Sequence, residues 1–118
     1  MLLDFAAIIL LLLGIAHSYL GEKYILIRLF KRTNIPHLYG SDDFTKNTLR
    51  FAWHITTFAW FGIAILLAFE NQPSNLLLYT TSIVFFVSGL ISVCFSKGKH
   101  FSWICFFAIS LLIFFSSI

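Results

Sequence analysis

Charged residues are scarce in this chain of 118 residues, which has 11% Asp, Glu, Lys and Arg against 59% hydrophobic residues. A soluble domain carries about a quarter charged residues. The few charges are also bunched, which leaves four apolar stretches of roughly 18 to 22 residues, each long enough to cross a ~30 Å hydrocarbon core. This pattern excludes an ordinary soluble domain and predicts a single transmembrane domain over residues 1–118.

Lysine and arginine are missing before the first apolar stretch, between the second and the third, and after the fourth. Six of the eight lie from Lys23 to Arg50, and the other two are Lys97 and Lys99. Since Lys and Arg accumulate in cytoplasmic loops, both termini are predicted to be extracytoplasmic, and a bacterial inner membrane fits. The same distribution accounts for the net charge of +3 without a nucleic-acid partner. The N-terminus lacks a basic segment before its apolar run, so we expect a retained helix there.

The predicted fold is an all-α integral membrane protein, a four-helix up-down bundle with spans at about 2–20, 48–69, 76–95 and 100–115 and a cytoplasmic loop over 21–47. Within that loop, the segment Lys23–Arg32 has one apolar and one basic face. It is predicted to be a short interfacial helix, or the first helix running on past the membrane. Arg28, Lys31 and Arg32 are its candidates for binding anionic lipids or a partner.

Motifs for catalysis are missing as well. The sequence has no His-Glu-x-x-His, no Cys-x-x-Cys and no glycine-rich phosphate loop. Its two cysteines, Cys94 and Cys105, fall inside predicted spans toward the reducing cytoplasmic side, where a disulfide is not expected. The serines lie on packing stripes without an adjacent base. No catalytic residue is predicted, which favours a protein that is not an enzyme.

Ionisable residues within membrane helices are costly and are therefore candidate functional sites. Several fall at one depth, near the cytoplasmic ends of the predicted spans. One hypothesis is a transition-metal site with His17, Glu22, His54 and His100 as ligands. A second is a b-type haem bound by His17, His54, Arg50 and Gly14, with the histidines as axial ligands, Arg50 on a propionate and Gly14 leaving room for the porphyrin edge. The alternative is packing, in which Arg50 pairs with Glu22 and the histidines hydrogen-bond across the bundle.

Three functions remain open from the sequence. The first is a small membrane protein whose His/Glu/Arg cluster binds a metal or haem for redox chemistry or sensing. The second is a non-catalytic subunit or assembly factor of a larger membrane complex. The third is a small dimeric transporter: small multidrug exporters have four helices and about this length, but they couple protons through a carboxylate deep in the first helix. Here Asp4 and Glu22 lie at its two ends with nothing acidic between them.

Overall fold

A computed structural model describes all residues 1–118 as helices joined by short connections, without named strands. The first helix, α1, begins at Leu2 and is regular over Leu2–Leu20. It is followed by α2 over Asp43–Phe69, α3 over Asn75–Ser96 and α4 over Ser102–Ser116. The all-helical prediction is confirmed.

Helix α1 does not stop at Leu20. A π-helical segment, Gly21–Leu26, follows directly, and a last α-helical turn covers Ile27–Leu29. The continuous helix Leu2–Leu29 has 28 residues. Of the two arrangements predicted for the basic segment, the structure therefore has the first helix running on, and the separate interfacial helix is not formed.

Three helices are long and apolar enough to cross a membrane: Leu2–Leu29, Asp43–Phe69 and Asn75–Ser96. Helix α4 is apolar but has only 15 residues. At about 1.5 Å per residue it extends roughly 22 Å, less than the ~30 Å of a hydrocarbon core. Whether α4 crosses the bilayer, and hence the up-down topology with both termini outside, stays a prediction.

The chain divides into two compact units, of which the first comprises Met1–Leu13 and Phe61–Ile118. In it, α3 and α4 pack as an antiparallel pair. Ser82 and Ser110 each donate a hydroxyl hydrogen bond to the other's backbone carbonyl, at 2.9 and 2.8 Å. Nearer the connecting turn, Ser92 and Ser102 are joined at 2.7 Å. Short hydroxyl side chains thus hold these two helices together without any charged group.

The second unit, Gly14–Trp60, contains the end of α1, the loop and the first half of α2. A tight turn in the loop has positive φ angles at Tyr39 and Gly40, and its ends are joined by a hydrogen bond from Leu38 N–H to the Ser41 carbonyl. Helix α2 begins at Asp43, so it extends about one turn into the loop predicted over 21–47, ahead of the span predicted at about 48–69. The Lys46 ammonium lies 2.8 Å from the Asp42 carboxylate and lowers the pKa of that carboxyl group.

Candidate functional site

A polar network joins α1 and α2 within the second unit. On each helix its members follow one another at alternating intervals of three residues and one, which places each set on one side of its helix. They are Gly14, His17, Ser18, Gly21 and Glu22 on α1 and its π-helical continuation, and Arg50, Trp53, His54 and Thr57 on α2. The pairing runs from Glu22 beside Arg50 to Gly14 beside Thr57, so the two helices are antiparallel.

The outer end of the network is an ion pair between Glu22 and Arg50. Nη2 of Arg50 lies 2.8 Å from Oε1 of Glu22. Nε of Arg50 donates to both carboxylate oxygens, at 3.0 and 3.3 Å. The guanidinium also lies 5.0 Å from the ring centroid of Phe30, at the end of the continued first helix. Charge-assisted contacts of this kind fix the orientation of both groups.

Next to this pair, the His54 ring bridges two positions of the first helix. Its Nε2 lies 3.1 Å from Oε2 of Glu22, and its Nδ1 lies 2.8 Å from Oγ of Ser18. Ser18 and Glu22 are four residues apart, about one helical turn, so their side chains lie on the same face of the first helix and both reach the ring. Both ring nitrogens of His54 therefore have partners from the same chain.

Two hydroxyls continue the chain of hydrogen bonds inward. Oγ of Ser18 lies 2.6 Å from Oγ1 of Thr57, and that hydroxyl lies 3.3 Å from the backbone carbonyl of Gly14. Thr57 is only 4% exposed. The result is an unbroken path from the Glu22 carboxylate through His54, Ser18 and Thr57 to a carbonyl oxygen.

A reciprocal contact lies beside this path. Nε2 of His17 donates to the Trp53 carbonyl at 3.2 Å, and Nε1 of Trp53 donates to the His17 carbonyl at 3.0 Å. The two rings stack with centroids 4.7 Å apart and planes 4° from parallel. Gly21 permits this, because a Cβ at that position would overlap the Trp53 indole.

The residues predicted to bind a metal or haem contact one another or other protein groups in this arrangement, and neither cofactor is supported by it. No group of three or more His, Cys, Asp or Glu side chains lies close enough to hold a metal ion. A ligand at His54 would displace Glu22 or Ser18, and one face of the His17 ring is covered by Trp53. Arg50, predicted to meet a propionate, is engaged by Glu22.

The remaining predicted residues have other partners. The Gly14 carbonyl, where room for a porphyrin edge was expected, accepts from Thr57. His100 belongs to the first unit, and its Nδ1 lies 2.8 Å from Oγ of Ser102. The packing alternative, with Arg50 on Glu22, describes the observed contact correctly.

Sequence reasoning overlooked the hydroxyls and the indole. In the sequence the serines lie on predicted packing stripes, and neither Trp53 nor Thr57 is among the candidate site residues. Their spacing carried a signal, because Trp53 and Thr57 follow Arg50 at intervals of three and seven, on the same helix face as His54. The statement that no serine has an adjacent base is wrong for Ser18, which contacts the His54 imidazole.

Comparisons of the chain with protein-family models, with curated proteins and with solved structures found no match. Inference about function therefore depends on the geometry and chemistry of the polar network.

Proposed function

We propose that this protein is a small integral membrane protein that takes up and releases a proton at His54 and acts as a non-enzymatic, proton-responsive regulator. The observation that supports this proposal is the path of hydrogen bonds from Glu22 through His54, Ser18 and Thr57 to the Gly14 carbonyl. No donor along it lacks an acceptor, whether His54 is neutral or charged.

Consider first the neutral imidazole. The Glu22 carboxylate only accepts, so Nε2 of His54 carries the ring proton and donates it. Nδ1 is then an acceptor and receives the Ser18 hydroxyl proton at 2.8 Å. Oγ of Ser18 in turn accepts from the Thr57 hydroxyl at 2.6 Å. Each contact has one donor and one acceptor.

A second proton, on Nδ1, reverses the direction of the whole path. Nδ1 now donates to Ser18, Ser18 donates to Thr57, and Thr57 donates to the Gly14 carbonyl at 3.3 Å. No donor loses its acceptor, because the path ends on an oxygen that only accepts. This matters in a membrane helix, where an unsatisfied polar group is expensive.

The charges around His54 also tolerate this change. Glu22 and Ser18 face the ring from the first helix, while Arg50 and Thr57 lie one turn away on α2 on either side of it. With His54 neutral, Glu22 and Arg50 cancel each other. With His54 charged, its Nε2 remains 3.1 Å from a carboxylate oxygen, and the network gains one positive charge. A change of charge at a fixed position is the signal that a regulator needs.

The geometry favours proton transfer over acyl transfer at Ser18. Ser18 contacts a base that is itself paired with a carboxylate, as in hydrolases. However, Ser18 lies inside a regular α-helix, where the neighbouring backbone N–H groups are used for helical hydrogen bonds. They are therefore not available to stabilise an oxyanion.

We place the network near the cytoplasmic face of a bacterial inner membrane, with both chain termini outside. The distribution of Lys and Arg supports this orientation. In this orientation, Glu22 and Arg50 form the end of the path nearest the cytoplasm, while Thr57 lies deeper in the membrane. Protons would reach His54 from the cytoplasm.

A second candidate is an accessory subunit of a membrane complex, in which the network only fixes the helix pair. The reciprocal His17–Trp53 contact favours it, because that contact clamps the helices without using a titratable change. Every fully buried side-chain polar atom has a hydrogen-bond partner. A purely structural role of the network requires this as well.

The test is solid-state NMR of protein in liposomes, with ¹⁵N-labelled histidine and the His54 signals assigned from a His54→Gln sample. We expect an Nε2-protonated neutral ring at high pH and a reversible change to imidazolium as the pH falls, with unchanged helix content. Thr57→Val removes the hydroxyl that ends the path, so it should lower the imidazolium fraction at a given acidic pH.

Thr56→Val is the matched control, because the Thr56 hydroxyl donates only to Ala52 of its own helix, at 3.3 Å. It should titrate like the unmodified protein. The proposal fails if His54 stays neutral until the protein unfolds, or if the Thr56 and Thr57 variants behave alike. The accessory-subunit function would then be the better explanation of the network. Its test is purification of the protein from its own membrane in detergent, which should recover a membrane partner with it.

A further inference from the structure

We propose that the basic extension, residues Lys23–Arg32, binds the phosphate of an anionic lipid headgroup, with Lys23 and Arg28 as its principal contacts. This inference is independent of proton uptake at His54. The first observation is that the cations of the extension lack acidic partners. The ion pairs of the chain use Glu22, Asp4 and Asp42, and none includes Lys23, Arg28, Lys31 or Arg32.

The second observation is depth. The continuous helix Leu2–Leu29 has 28 residues. Its length is about 42 Å at ~1.5 Å per residue, while a hydrocarbon core is ~30 Å thick and a whole bilayer with headgroups ~40–45 Å. If the helix enters the core near Leu2, its last eight residues or so lie beyond the core, by the same rise per residue. Lys23 and Arg28 are then level with the headgroups.

The third observation is that both cations lie beside the same tyrosine ring. Nζ of Lys23 lies 5.3 Å from the Tyr24 ring centroid, and the Arg28 guanidinium carbon lies 5.6 Å from the same centroid. Lys23 is in the π-helical segment Gly21–Leu26, and Arg28 is in the α-helical turn that follows it. The two cations therefore share one aromatic neighbour at the end of the first helix.

Two unpaired cations beside one exposed tyrosine create a local positive charge, which an anion would neutralise. Nζ of Lys23 also lies 3.4 Å from the Tyr19 hydroxyl, so a phosphate bound at Lys23 would have a phenol beside it. Tyr24 is 49% exposed, and the neighbouring Ile25 and Ile27 are 45% and 43% exposed. Apolar side chains beside a cationic cluster suit a lipid, which supplies acyl chains and a phosphate together, better than an acidic peptide.

The test measures lipid retention by native mass spectrometry of protein released from nanodiscs that contain phosphatidylglycerol and phosphatidylcholine. The unmodified protein should retain phosphatidylglycerol preferentially. A hydrogen bond to a charged group is worth roughly tenfold in affinity or more, so Lys23→Gln/Arg28→Gln, which removes both proposed phosphate contacts, should reduce that preference by at least roughly tenfold. Lys97→Gln/Lys99→Gln, with the same change of charge in the other basic loop, should leave it nearly unchanged.

A second arm adds inorganic phosphate as a competitor, which separates a lipid from free phosphate as the source of the anion. We expect phosphate to displace little lipid, and circular dichroism to show equal helix content in all samples. Full displacement by phosphate would overturn the assignment to lipid. Equal preference in the Lys23/Arg28 variant and the unmodified protein, or equal loss in the Lys97/Lys99 control, would overturn the site itself.

Discussion

The ion pair between Glu22 and Arg50 can be removed with little change of shape by Glu22→Gln. The pair has three N–O contacts between 2.8 and 3.3 Å, and the side chains are 29% and 42% exposed. Hydrogen bonds to charged groups contribute about 1.5–3 kcal/mol, but exposed pairs contribute only ~0–1 kcal/mol. Gln also keeps one acceptor for the guanidinium. We therefore expect the free energy of unfolding to fall by about 1–2 kcal/mol, between those limits.

The assay is reversible unfolding by dodecyl sulfate in mixed micelles, monitored by tryptophan fluorescence. Trp53 lies within the network, so its emission is sensitive to the separation of the two helices. Glu22→Gln, Arg50→Gln and the double variant form a double-mutant cycle. The coupling should be about 1–2 kcal/mol, well above the ~0.3–0.5 kcal/mol scatter of independent sites. Glu70→Gln is the control, because Glu70 is exposed and in no ion pair, and it should change little. A coupling within the scatter would refute the pair as a stabilising contact.

Two further substitutions test the helix contacts in the same assay. Gly21→Ala should lower the free energy of unfolding by about 1–3 kcal/mol, because its methyl group would overlap the Trp53 indole. Gly62→Ala is the control and should be neutral or stabilising, because nothing lies within 4 Å of its new Cβ. Equal effects of the two substitutions would contradict the packing of Trp53 on Gly21. Ser82→Ala should cost about 0.6 kcal/mol, the average for a hydrogen bond between membrane helices. Ser88→Ala, which only removes a bond to Val84 of the same helix, should cost less, and the reverse order would contradict the Ser82–Ser110 contact.

Much of the fold follows from local chemistry that a sequence displays. Apolar length predicts the helices, and acidic or hydroxyl residues mark their starts, as at Asp43 and at Ser74, whose hydroxyl accepts from Leu77 N–H. The Glu22–Arg50 contact was also within reach, because opposite charges at one membrane depth have few other partners. These features depend on composition and spacing along the chain.

The π-helical segment and the hydroxyl path could not be predicted in this way. A π-helical turn contains one extra residue, and it forms where tertiary packing stabilises that insertion. In this chain the π-helical segment lies where Leu26 is buried and where the Phe30 ring lies beside the Arg50 guanidinium. Ser18 and Thr57 look like ordinary packing residues in the sequence. Their role appears only when the rotation of each helix is known, since a small rotation would take Ser18 away from the His54 ring.

The two helix pairs of this chain differ in the groups that join them. Ser82 and Ser110 hold α3 against α4 with reciprocal hydroxyl-to-carbonyl bonds and no charge. The α1–α2 pair has hydroxyls at Ser18 and Thr57 that could do the same, and Gly21 leaves room for the Trp53 indole. It nevertheless places a carboxylate, a guanidinium and an imidazole in line with them. An ionisable group at membrane depth is costly, so the His54 imidazole in line with satisfied partners supports the proposed proton uptake, and a network that only fixes the helix pair is the second candidate.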